Sequence, residues 1–197
     1  MKKVFFLTLA ALIAFFGFSF AEEGVAKMKK AVMIIAQDGF RDEELFEPKE
    51  VLEKAGIEVK LASIVLSEAK GKLGGKAKPD MLLSDIEAAD FDAVIFVGGP
   101  GASQYWDDLT AHKLAREAVL AGKVTAAICI APVTLAKAGV LKGKRATVWS
   151  SEGEQLKAAG ADYTAKPVEQ DGNIITAAGP FAAREFGQAI AEALKAE

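Results

Sequence analysis

Short apolar runs that stop on glycine or on polar turn residues recur along this chain, and most are followed by a segment with helical spacing. Ala31-Val32-Met33-Ile34-Ile35-Ala36 ends on Gln37-Asp38-Gly39, the pattern of a central parallel strand leading into a loop. Leu45, Val51, Leu52 and Ala55 then predict a helix loaded with acid at its start and closed by Gly56. Ile57 to Ala62 alternates as a second strand, and Ser63 to Asp80, rich in glycine and lysine, predicts a hairpin or long excursion outside the sheet core. Phe91 to Val97 is a further strand, running into Gly98-Gly99-Pro100-Gly101, and Asp107 to Ala121 has a helix's apolar face. Val124 to Ile128 is a strand free of charge, and the helix after it closes at Gly139. Ala146 to Trp149 (strand), Glu152 to Ala159 (helix), Ile174-Ile175 (short strand) and Phe181 to Ala196 (amphipathic helix) complete the pattern. Strands and helices that alternate in this way build parallel βαβ units, and the expected fold is a three-layer α/β sandwich with a mostly parallel central sheet.

The first residues follow a different rule. Lys2 and Lys3 precede an apolar run from Val4 to Phe20, broken only by Thr8, Gly17 and Ser19, and small residues at Ser19 and Ala21 stand before Glu22-Glu23. This predicts a cleaved secretory signal peptide over residues 1–21, a polar linker over 22–29 and one domain over 30–197; the alternative is an uncleaved membrane anchor. Cleavage takes away two lysines and no acid, so the formal net charge moves from −3 to −5. The expected location is the periplasm or the extracellular space, with no membrane contact after cleavage. Basic residues are scattered singly or in short groups, so no nucleic-acid partner is expected. One cysteine and one histidine allow neither an intrachain disulfide nor a structural zinc site.

The one cysteine, Cys129, stands where the Val124–Ile128 strand stops, with Pro132 placed for the first turn of a helix. A thiolate there would be stabilised by the helix end; the alternative is a thiol that merely fills a core. Ligands of open parallel sheets gather at the carboxyl ends of the strands. That rule brings together Gln37 to Asp42, Gly98 to Ser103 and Cys129 to Pro132. The backbone N–H groups of Gly99 and Ile130 then make a plausible oxyanion hole, against the alternatives of a phosphate cradle or a plain turn at the glycines. His112 lies in a predicted helix between Ala111 and Lys113, so an exposed position away from the chemistry is expected. The acids left to serve Cys129 are Asp38, Asp42, Glu43 and Glu44, unless they only favour the helix start.

Several ordered motifs resemble one family. Ala127-Ile128-Cys129-Ile130-Ala131-Pro132, Leu135 to Thr147, and Asp171-Gly172-Asn173-Ile174-Ile175-Thr176 with Gly179-Pro180 are similar to the ThiJ/PfpI superfamily, as are Asp38-Gly39-Phe40 with Glu44-Leu45-Phe46-Glu47-Pro48 and Ile95-Phe96-Val97-Gly98-Gly99. The resemblance spans about Lys30 to Leu194. It implies a flavodoxin-like fold, Cys129 as a nucleophile-elbow cysteine, Glu44 as the acid that hydrogen-bonds it, no cofactor, no metal, and a homodimer or larger homo-oligomer. Two departures stand out. PfpI-type members carry histidine directly after the cysteine where this chain has Ile130, and the histidine that other members present from the next strand's end is absent from Thr147-Val148-Trp149-Ser150.

Two functional readings follow. In one, the Cys129 thiolate attacks a small reactive carbonyl, Gly99 and Ile130 hold the oxyanion and Glu44 moves the proton, as in a glyoxalase or deglycase-like hydrolase. In the other, Cys129 responds to an oxidant without turnover, and Glu44 stabilises the oxidised sulfur. A peptidase or amidase is a third, more remote reading.

Overall fold

The computed structural model describes residues 28–196. The expected signal peptide and nearly all of the linker lie outside the described residues. Seventeen labelled elements follow in chain order: β1 (Lys30–Ile34), β2 (Asp38–Phe40), α1 (Asp42–Lys54), β3 (Glu58–Ser63), β4 (Ala69–Gly71), β5 (Lys76–Ala77), β6 (Met81–Leu82), β7 (Ala93–Phe96), α2 (Leu109–Leu120), β8 (Val124–Ile128), α3 (Pro132–Lys137), β9 (Arg145–Ala146), α4 (Gly153–Ala158), β10 (Asp162–Tyr163), β11 (Val168–Asp171), β12 (Ile174–Ala177) and α5 (Ala183–Lys195). Seven of the strands form the central sheet, in the order β11-β12-β8-β7-β1-β3-β6. Every neighbouring pair is parallel except β11 with β12.

Both faces of this sheet are buried, which is why its central strands β1, β7 and β8 are mostly apolar, with Thr125 a buried polar residue in β8. Side chains alternate across a strand, so Val32, Ile34, Val94 and Phe96 enter one core with α2, α3 and α4. Met33, Ile95 and Ile128 enter the other with α1 and α5. The two helices of that second layer meet closely at Gly187, where a Cβ would lie 2.8 Å from Pro48 Cα. Pro48 sits inside α1 and has no N–H to give the Glu44 carbonyl four residues back.

Several sequence expectations are corrected. The Ala146–Trp149 strand shrinks to β9, which pairs only with β10 in a sheet of two. The rest of that run is bonded elsewhere: Thr147 N–H donates to Thr176 Oγ1 at 2.8 Å and Trp149 N–H to the Cys129 carbonyl at 2.8 Å. The excursion after β3 is a hairpin, as expected, but β4 also pairs with β2, so the loop after β1 contains a short strand. The antiparallel edge strand β11 was not anticipated; Glu169 and Gln170 in its middle hide it from an apolar-run search. The helix behind Cys129 has only six residues.

Candidate functional site

β8 stops at Ile128 and the chain turns sharply at Cys129, whose φ is +62°. A left-handed conformation at a residue with a Cβ costs about 1–2 kcal/mol, so the surrounding structure must hold it in place. It does so from both sides of the residue: Cys129 N–H donates to the Ala177 carbonyl at 2.9 Å, and Cys129 C=O accepts from Trp149 N–H. The thiol is 9 % exposed and faces an open cavity of about 260 Å³, lined by Glu44, Gly99 and Ile130 and walled by Arg41, Pro100, Trp149, Ser151 and Pro180.

The structure separates the four candidate acids. Asp38 is exposed. Asp42 accepts from the N–H groups of Leu73 and Gly75 and so ties α1 to the hairpin. Glu43 forms a two-pronged pair with the Arg41 guanidinium at 2.8 and 3.1 Å. Only Glu44 turns inward, at 0 % exposure. Neither of its carboxyl oxygens has a partner of full hydrogen-bond geometry; the polar groups acting on it are the Cys129 thiol, the Gly98 N–H and the charges of Arg41 and Glu43. Burial pushes its pKa up to about 8, so at neutral pH it keeps its proton.

Cys129 departs from the expected helix-stabilised thiolate. Burial, and then the charge of an ionised Glu44, push its thiol up to about 12, against the smaller opposing effect of the Gly99 and Ile130 N–H groups. A six-residue helix adds little to offset this. The repulsive contribution exists only while Glu44 is ionised. With Glu44 protonated, two backbone donors face the sulfur and the neighbouring carboxyl has a proton to give, so the pair handles its protons as one unit.

Both amides are aimed by the same device. The peptide between Gly98 and Gly99 presents its N–H to the sulfur at one end, and at the other its carbonyl accepts from Arg41 N–H at 3.0 Å. The peptide between Cys129 and Ile130 does likewise, its carbonyl held by Trp149 N–H. A planar trans peptide fixed at its oxygen is fixed at its N–H. Gly99 can follow this path because it is a glycine at φ +97°, packed against the Gly39 carbonyl and Arg41 N.

His112 is corrected. It is buried, and its Nε2 lies 2.8 Å from the Trp106 carbonyl, while the Trp106 indole donates to the Ile130 carbonyl at 3.1 Å. The ring thus supports the back of the elbow and does not line the cavity. The sequence placed Arg41 in the Gln37–Asp42 loop and Trp149 in the segment where relatives present a histidine, without marking either side chain as part of the wall, and it gave no signal for Ser151. Among the described residues no group of three or more His, Cys, Asp and Glu is placed to hold a metal ion, and no helix is long and apolar enough to cross a membrane.

Comparison with known proteins agrees with this geometry. Residues 29–193 match the model of the DJ-1/PfpI family. The chain belongs to the DJ-1/PfpI family. Within this family it is 42 % identical over 172 residues to an uncharacterised protein of Methanocaldococcus jannaschii, covering 86 % of this chain and 84 % of the relative. It is 32 % identical to a Thermococcus kodakarensis protein named a deglycase, over 76 % of this chain and 90 % of the relative. The crystal structure of a ThiJ/PfpI domain protein from Brachyspira murdochii superposes with a TM-score of 0.85 at 34 % identity, covering 87 % of this chain and 99 % of that one. The three-layer α/β sandwich expected from the strand and helix pattern, and the flavodoxin-like fold implied by the family resemblance, are therefore the fold of this DJ-1/PfpI member.

Proposed function

We propose that this protein is a cysteine-dependent hydrolase of small reactive carbonyls, acting on 2-oxoaldehydes or their adducts. The observation that carries this reading is the placement of Cys129, at an elbow that opens on a cavity, against a buried Glu44 that keeps its proton at neutral pH. On a 2-oxoaldehyde, Cys129 Sγ forms a bond to the aldehyde carbon. The carbonyl oxygen, held by Gly99 and Ile130 N–H, takes up the proton that the thiol gives up as its sulfur bonds to carbon, and a hemithioacetal results. Glu44 then gives its proton to the second carbonyl oxygen while its other oxygen takes the hydrogen of the first carbon, which leaves an enediol. It returns that hydrogen to the second carbon as it takes the proton of the first hydroxyl, which leaves the thioester of a 2-hydroxy acid and Glu44 protonated as at the start. Water cleaves the carbon–sulfur bond, releases the acid and restores the thiol. The sum is one dicarbonyl and one water in, one 2-hydroxy acid out. The relative named a deglycase supports the substrate class.

Purified mature protein should convert methylglyoxal to lactate, and Cys129→Ala should abolish the conversion. Equal, background rates for the two proteins would refute the reading.

A second reading is favoured by one observation: the chain's only histidine is engaged behind the elbow, so no imidazole base reaches Cys129. In it, Cys129 is a sensor oxidised to sulfinic acid, with the Glu44 proton donated to the product. Mild peroxide should then add two oxygens to the folded protein and none to Cys129→Ser, as read by mass. An unmodified thiol excludes it.

We also propose, from the sequence pattern and the family resemblance alone, that the protein is exported and self-associates. Mass measurement of the exported form should show Glu22 as the first residue, and sedimentation should give a dimer or larger; an intact Met1 or a monomer overturns the respective statement.

A further inference from the structure

The geometry points to Trp149 as a specificity-determining residue: its indole takes the flat apolar substituent of the reacting carbonyl, so the site favours aryl-substituted over methyl-substituted dicarbonyls. The inference rests on the proposed role of Cys129 as nucleophile.

Three observations carry it. First, the indole is held in register with the sulfur. Trp149 N–H donates to Cys129 C=O and Trp149 C=O accepts from Glu152 N–H, both at 2.8 Å. The ring also fills the space beside Gly179, where a Cβ would lie 2.7 and 2.9 Å from indole Cε3 and Cζ3. Second, the ring stays open: Trp149 is 39 % exposed at the cavity wall, and the neighbouring Phe181, beside the same glycine, is 70 % exposed. A large aromatic ring exposed in a cavity wall, as Trp149 is, offers a ready surface for a planar ligand. Third, the polar side chains of the outer wall already have partners on the protein. Glu43 balances the Arg41 charge, accepting from its Nε and Nη2, and the Ser151 hydroxyl donates to Glu152 Oε1 at 2.7 Å. What remains beyond the reacting centre is Trp149, Pro100, Ile130 and Pro180, a surface that rewards an uncharged flat group.

The test compares kcat/KM for phenylglyoxal with that for methylglyoxal in the full mature protein, in Trp149→Phe and in Trp149→Leu. The ratio should fall roughly tenfold in Trp149→Leu, the scale of one lost aromatic contact with its buried area, and be largely retained in Trp149→Phe. A ratio unchanged in Trp149→Leu, or an equal fall for both substrates in both variants, overturns the inference. A second measurement needs no turnover. Acetophenone, an unreactive aryl ketone, should shift the Trp149 indole N–H resonance saturably in the Cys129→Ser protein, the signal being assigned by its loss in Trp149→Phe; acetone should not. No shift, or the same shift with acetone, overturns it. If neither dicarbonyl is consumed but acetophenone binds as described, the hydrolase reading fails and the aryl subsite stands.

Discussion

Glu44 lays its carboxyl group over Gly98, in the space a Cβ there would need, and Cys129 Cβ closes the same space at 2.6 Å from that position. The acid and the cysteine can meet only because residue 98 has no side chain. Gly98→Ala should therefore push Glu44 off Cys129, lower methylglyoxal turnover by on the order of 100-fold, and cost ~1–3 kcal/mol of stability through overpacking. Kinetics together with chemical denaturation check this; wild-type activity in the variant would contradict it.

The buried carboxyl also makes stability depend on pH. Glu44 rises from an ordinary 4.5 to about 8 on folding, so between those values the native state keeps a proton that the unfolded chain releases. Stability is fully present below about pH 4.5 and is lost as pH rises toward 8, by on the order of 5 kcal/mol at most. The carboxyls that are shifted low, Glu43, Glu50, Glu169 and Asp171, act below this window. Urea denaturation at pH 5 and pH 8 should show the loss in wild type and a flat profile in Glu44→Gln; parallel profiles would contradict it.

The aiming of the Gly99 amide can be separated from the charge of Arg41. Arg41 has φ −83° and follows an extended residue, so its dihedral angle suits proline, which removes the N–H that holds the Gly98 carbonyl and sets the ring Cδ against that oxygen, besides losing the side chain. Arg41→Ala keeps that N–H. Arg41→Pro should lower kcat at least roughly tenfold below Arg41→Ala, with KM little changed, because a misaimed donor weakens only transition-state binding. Equal kcat values would show that the bond does not aim the amide.

The central strands and the elbow were legible in the sequence because their signals are local. β7 is wholly apolar, β1 is apolar after Lys30 and β8 is apolar but for Thr125, and Cys129 stands between a strand's last residue and a helix-starting proline. Glu44 stood out among its neighbouring acids only through the family resemblance, since burial distinguishes it from Asp42 and Glu43 and burial is a property of the packed helix. The position of His112 failed for the same reason: flanked by alanine and lysine it looks exposed, yet α2 turns it toward Trp106. The strand expected through Trp149 was lost to long-range bonds with Thr176 and Cys129, which no window of sequence contains. The Trp149 bond to Cys129 also aims the Ile130 amide, so the least legible segment is one of the most consequential for the site.

The most direct test of the account is the protonation state of Glu44 itself. Carbon-13 labelling of glutamate side chains, with the Glu44 carboxyl resonance assigned by its absence in Glu44→Gln, allows its titration to be followed in the folded protein. The account predicts a protonated carboxyl at pH 7 and a midpoint near 8, moved upward in Cys129→Ala because the polar thiol beside the carboxyl favours the ionised acid. A midpoint near the ordinary 4.5 would mean that Glu44 stands ionised beside Cys129 at neutral pH, with no proton to give.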